Sequence, residues 1–149
     1  MLRLSAKQAT RGARNAAAHL QRAEVSQGDR IALCVEIPPD SERSAFEQAL
    51  LLQTVWGALR IGAIPVMVNP LLPRAEARAQ ITECAPRLAI TDAAALSALV
   101  SDTSTVGSAD SGTFAARPMH YTSGTTGQAK GVWTGFLTSA QLARWWADE

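Results

Sequence analysis

Two short, unbroken apolar runs separated by a long helical pattern constrain this chain more than any other feature. The first, in "RIALCVEI", covers residues 31–37, and the second, "AIPVMVN", covers residues 63–69. A strand apolar on both faces belongs inside a sheet covered on both sides, which is the setting of parallel sheets. Between the runs, "IPPDSE" breaks the chain. Residues 41–61 then place Phe46, Ala49, Leu50, Val55, Ala58 and Leu59 on a helical period, with Gly62 at the position just past the helix end. Two parallel neighbours need such a crossover, so the pattern predicts a strand, a helix and a second parallel strand.

The remainder repeats the alternation. Pro73 opens a helix to about Cys84, Pro86 stops it, "RLAITD" supplies a third strand, "AAALSALV" a short helix and "MHYTS" a fourth strand. The expected class is α/β with a mainly parallel sheet, in which ligands gather beyond the carboxyl ends of the strands. Residues 101–117, mostly Ser, Thr, Asp, Gly and Ala, read as a solvated loop. At the start, Ala13, Ala16, Ala17, Leu20 and Ala23 recur at helical spacing opposite Arg11, Arg14 and Arg22, which describes an exposed amphipathic helix. The same acid-free, arginine-rich stretch also has the composition of a mitochondrial transit peptide.

A chain of 149 residues with 47% hydrophobic content is sufficient for one globular core. Fourteen basic and thirteen acidic residues leave a formal charge of +1, so no global field draws the protein to nucleic acid or an anionic membrane, and an anion site must be local. No apolar run approaches the ~18 to 20 residues that cross a bilayer, which predicts no stable membrane insertion and a cytoplasmic protein. Cys34 and Cys84 sit among apolar neighbours without metal-ligand or redox spacing and read as reduced, buried thiols.

The chemistry concentrates in "YTSGTTGQAKGV", residues 121–132. Gly124, Gly127 and Gly131 let the backbone curl and present its N–H groups. Thr122, Ser123, Thr125 and Thr126 add hydroxyl donors, and Lys130 adds a point charge. That set suits a polyphosphate. Gln128 and Ala129 separate Gly127 from the lysine, so the segment is not a Walker A loop, which has lysine directly after its second glycine. Ser123 lacks the G-x-S-x-G elbow of a hydrolase nucleophile. Clusters of Ser, Thr and Gly are also common in plain surface loops, and the order of residues is what separates the two readings. His120 reads as a strand-end histidine satisfied by backbone, His19 as solvated, and Trp133, Trp145 and Trp146 as packing residues.

Residue by residue, this stretch resembles the phosphate-binding signature T-S-G-[ST]-T-G-x-P-K-G of the acyl-adenylate-forming superfamily: acyl-CoA synthetases, luciferases and peptide-synthetase adenylation domains. Thr122, Ser123, Gly124, Thr125, Thr126, Gly127, Lys130 and Gly131 stand at matching positions, with Ala129 in place of the usual proline. "QGDRIALCVEI" and "WGALRIGAIPVMVNPLL" also resemble the family's early strand and its "ALRAGAVPVPLNP" region, so the likeness spans nearly the whole chain. Where many relatives carry a Thr-His pair, this chain has Gly135 and Phe136, which puts a histidine contribution to the substrate channel in question.

The resemblance implies an ATP-dependent acid–thiol ligase of the fatty acid-CoA ligase kind. A carboxylic acid attacks the α-phosphorus of ATP, pyrophosphate leaves, and coenzyme A displaces AMP. It implies that Thr122, Ser123, Gly124, Thr125, Thr126, Gly127 and Lys130 bind the phosphates together with Mg2+, and that Lys130 acts in catalysis. It further implies that residues 1–149 form part of an N-terminal AMP-binding domain, since the family's ribose aspartate, hinge and C-terminal lysine lie downstream in longer relatives. On that basis the piece alone is expected to be inactive and, with unpaired strand edges, poorly soluble. The alternative is a non-catalytic phosphate-binding or interaction module derived from such an enzyme.

Overall fold

The computed structural model describes residues 4–39, 42–101, 114–123 and 129–138. Helix α1 (Ala6–Arg22) starts at a capping box: the Gln8 amide donates to Ser5 Oγ at 3.2 Å and the Ser5 amide donates to Gln8 Oε1 at 2.9 Å. Its alanines stack on one face, and Ala9, Ala13, Ala16, Ala17 and Leu20 are all buried. The first helix is therefore a core element rather than the exposed one expected. Alanines carry little hydropathy, but their small size allows a second helix to lie directly against them. Ala23, grouped with that face in the sequence, caps the helix end in solvent, and His19 is half-buried rather than solvated.

That second helix is α2 (Glu42–Arg60), which links β1 (Arg30–Leu33) to β2 (Ile64–Met67). Gly57 marks the crossing with α1. A Cβ built there would stand 2.7 Å from Ala16 Cβ, 2.8 Å from the Ala13 carbonyl oxygen and 2.8 Å from the Ala17 nitrogen. Gly62 ends α2 at φ +73°, and its carbonyl accepts from the Gly28 amide at 2.9 Å, joining the turns that precede β1 and β2. Helix α3 (Arg74–Glu83) leads to β3 (Leu88–Ile90), and α4 (Ala93–Ser101) follows. The Asn15 side-chain amide donates to the Val100 carbonyl at 2.9 Å and ties α1 to the last turn of α4. Both strands are shorter than the apolar runs. Beyond Leu33 the ladder continues only as single bonds, Cys34 N to Ile90 O at 2.9 Å and Val68 N to Leu33 O at 3.0 Å.

Four further strands complete the main sheet and form its neighbour: β4 (Phe114–Ala116), β5 (Met119–Ser123), β6 (Ala129–Val132) and β7 (Phe136–Thr138). The five-stranded sheet runs β3-β1-β2-β5-β6, parallel from β3 to β5 and antiparallel at the β5–β6 edge. Strands β4 and β7 form a separate antiparallel pair. The mainly parallel α/β class read from the sequence is observed. Two details differ: part of the expected solvated loop at residues 101–117 is strand β4, and the glycine-rich segment is followed by an antiparallel strand. A three-residue strand shows no periodicity, and its partner lies far along the chain. Residues 102–113 of that loop fall outside the described residues.

Two cores sandwich the sheet. Ile31, Leu33 and Ile90 pack against Ala16, Leu20, Leu50, Ala58, Leu96 and Leu99 on the face covered by α1, α2 and α4. Ala32, Ile64, Val66 and Met119 pack against Ala77, Ile81 and Cys84 of the α3 side. The connections leaving β1 and β2 thus depart to opposite faces, the arrangement that opens a crevice beyond their carboxyl ends. Because β5 runs parallel to β2, the segment after Ser123 emerges at that same edge.

Candidate phosphate-binding site

Strands β5 and β6 form the stem of the glycine- and hydroxyl-rich segment. Their register pairs His120 with Val132, Tyr121 with Gly131, Thr122 with Lys130 and Ser123 with Ala129. Alternation along a strand separates the stem into two faces. His120, Thr122, Lys130 and Val132 are exposed on one face, while Met119 is buried and Tyr121 and Gly131 are half-buried on the other. Two of the residues singled out from the sequence, Thr122 and Lys130, are therefore brought directly opposite each other on the solvent side. The Thr122 hydroxyl lies 3.5 Å from the Lys130 carbonyl oxygen, too long for a firm bond. Ser123 ends β5. Gly124, Thr125, Thr126 and Gly127 lie outside the described residues.

His120 stands exposed on the Lys130 face instead of being turned into backbone. Gly131 belongs to the opposite face. An added Cβ would run into the Met119 methyl carbon and stand 3.5 Å from the Tyr121 ring, so the glycine leaves that space to these two side chains. The Tyr121 hydroxyl donates to the Gln80 carbonyl of α3 at 2.8 Å. Burial, followed by the negative potential of Cys84 and Glu83, raises its pKa well above the usual phenol range, so it remains a donor. Burial also pushes the Cys34 and Cys84 thiols up. Cys84 is fully buried as expected, whereas Cys34 is only half-buried.

Beyond β6 the chain makes a turn that the sequence did not specify. Trp133 Nε1 donates to the Arg117 carbonyl at 3.0 Å, Arg117 Nη1 donates to the Thr134 hydroxyl at 3.2 Å, and the Trp133 and Phe136 rings meet edge-on with centroids 5.2 Å apart. Gly135, at φ +89°, takes the left-handed conformation between them. Trp133 packs as expected yet keeps 37% of its surface exposed. Trp145 and Trp146 lie outside the described residues. Among the described residues no three His, Cys, Asp or Glu side chains converge to hold a metal ion, and no helix is long and apolar enough to cross a membrane.

The sequence model of the family described as "AMP-binding enzyme" matches residues 2–146. No curated protein sequence matches the chain. Among solved structures, the N-terminal subdomain of NpsA from Klebsiella oxytoca, in complex with 3-hydroxyanthranilyl-AMSN, is similar with a TM-score of 0.70 at 18% identity over 91% of this chain and 34% of that one. The inhibitor-bound N-terminal domain of FACL13 from Mycobacterium tuberculosis gives 0.65 at 22% identity, covering 90% and 38%. The anthranilate CoA ligase AuaEII, in complex with anthranoyl-AMP, gives 0.67 at 19% identity, covering 87% and 28%. At these identities the likeness establishes the fold, and the chain spans about a third of the length of the structures it matches.

Proposed function

Since the chain belongs to the AMP-binding enzyme family, we propose that it is the N-terminal part of the AMP-binding domain of an ATP-dependent carboxylic acid–thiol ligase. A carboxylate oxygen attacks the α-phosphorus of ATP, the bond to the bridging oxygen breaks, and pyrophosphate departs with the electron pair. The sulfur of a thiol, coenzyme A in this reading, then attacks the acyl carbon and AMP leaves. The chain's contribution is to the first step. Lys130, Thr122 and Ser123, with Gly124, Thr125, Thr126 and Gly127 of the connecting segment, hold the β- and γ-phosphates and neutralise the charge that collects on the departing pyrophosphate.

The observation that carries this reading is the hairpin register. It sets Lys130 and Thr122 opposite each other on an exposed face, at the base of a donor-rich segment that leaves the carboxyl-terminal edge of a parallel sheet. Magnesium bound with ATP would add to the neutralisation of the phosphate charge beside Lys130 and the hydroxyls. The likeness to structures in complex with 3-hydroxyanthranilyl-AMSN and anthranoyl-AMP, and to a fatty acyl CoA synthetase, supports an organic acid as substrate without selecting its class.

Pyrophosphate release, followed with ATP and a panel of aliphatic, aromatic and amino acids on the full gene product that carries this chain, tests the reading. Release that depends on the acid and falls on the order of 10²- to 10³-fold in Lys130→Ala is the expected result, the cost of one donor lost from a preorganised site. ATP binding with no acid-dependent release favours the second reading, a phosphate-binding module without chemistry.

A further inference from the structure

The main sheet supports the candidate site unevenly. Strand β2 ends at Met67, and its ladder with β5 comprises only Val66 with Met119 and Met67 with His120. Tyr121, Thr122 and Ser123 therefore extend past the last sheet partner on that side. On the other side is β6, which among the described residues is an edge strand laddered to β5 alone. The portion of the hairpin that bears Lys130 and Thr122 thus overhangs the sheet. A two-stranded ribbon without further support is marginal, so something besides the ladder has to hold it.

Tyr121 is the first residue of the overhang. Its hydroxyl reaches across to α3 and donates to the Gln80 carbonyl at 2.8 Å. That oxygen also accepts from the Cys84 amide at 3.0 Å, and the Cys84 carbonyl in turn accepts from Arg30 Nη1 of β1 at 3.0 Å. The receiving end is rigid: Gln80 is 6% exposed and Cys84 fully buried. On its own strand pair, the Tyr121 ring lies over Gly131, the residue after Lys130.

We propose that Tyr121 is a positioning residue for the phosphate site: by donating to the Gln80 carbonyl it anchors the overhanging β5–β6 hairpin and so fixes where Lys130 and Thr122 stand. This rests on the reading of the hairpin as the binder of the ATP phosphates. The residue touches no phosphate itself, and its effect passes through the register of the hairpin.

Tyr121→Phe in the full gene product that carries this chain keeps the ring over Gly131 and deletes the donor. Amide hydrogen exchange at Lys130, Gly131 and Val132 should accelerate on the order of fivefold, the weight of one ordinary hydrogen bond, with the urea midpoint falling by no more than that one bond accounts for. The dissociation constant for ATP, measured by calorimetry, should rise by a similar factor. Unchanged exchange in the hairpin overturns the proposal, as does an ATP dissociation constant equal to the wild-type value, which is what a merely structural tyrosine would produce. If the wild-type full gene product binds no ATP, the functional reading and the positioning role fall together. ATP binding that is unaffected by Lys130→Ala overturns the phosphate reading alone, while the exchange data still decide the anchor.

Discussion

Gly57→Ala probes the crossing of α1 and α2. The added Cβ would meet Ala16 Cβ at 2.7 Å, some 0.7 Å inside the 3.4 Å at which ordinary contact begins, and would meet the Ala13 oxygen and Ala17 nitrogen at 2.8 Å. Two of these three are backbone atoms that no rotamer change can move, so α1 and α2 have to part. In a well-packed interior an extra methyl group costs about 1 to 3 kcal/mol, and the backbone contacts place this site at the upper end. Alanine recovers roughly 1 kcal/mol over glycine from helix propensity, leaving a net loss of about 2 kcal/mol. For a domain of this size that lowers the melting temperature by roughly 4 to 8 °C. Thermal unfolding followed by far-ultraviolet circular dichroism, at protein concentrations low enough to hold off association, reads the shift. Ala16→Gly in the same chain should restore part of it, because one of the three clashes disappears. A variant as stable as the wild type, or more so, would falsify the close crossing and leave helix propensity as the dominant effect.

Two other outcomes follow from buried groups. Tyr121 has its folded pKa raised above the ordinary 10.0, so the stability it contributes is fully present below about pH 10 and is lost as pH rises toward the folded value. The urea midpoint should fall in strongly alkaline buffer, and less steeply in Tyr121→Phe; equal slopes would contradict the assignment. Cys84 is fully buried and Cys34 half-buried, both with thiols pushed up by burial, so a thiol-specific reagent at neutral pH should label Cys34 slowly and Cys84 only on unfolding. Equal labelling rates in the native state would show that the α3 side of the core is open.

How far the fold could be read from the sequence depended on the size of the residues that build it. The runs ending in Ile37 and Asn69 are large, apolar and flanked by proline, and they mark β1, β2 and the α2 crossover between them. Gly62 marks the helix end because only a residue at ease with positive φ fits there. The α1–α2 contact was illegible because it consists of Ala13, Ala16, Ala17 and Gly57, residues whose importance lies in how little space they fill. Strand β4, three residues long, carries no period, and its pairing with β7 depends on contacts distant in sequence. At the candidate site, the spacing of Thr122 and Lys130 was readable and their register was not, since register depends on hydrogen bonds across β5 and β6. The Tyr121 anchor was hidden for a related reason: its acceptor is a main-chain carbonyl, and any residue at position 80 would supply one.

The central claim, that the face bearing Lys130 and Thr122 receives the terminal phosphates of ATP, is tested most directly by phosphorus NMR of ATP titrated with the full gene product that carries this chain and with its Lys130→Ala variant. The account expects the β and γ resonances to move more than the α resonance in the presence of the wild-type chain, and this response to collapse in the variant. Equal responses from both proteins, or movement confined to the α-phosphate, would contradict it.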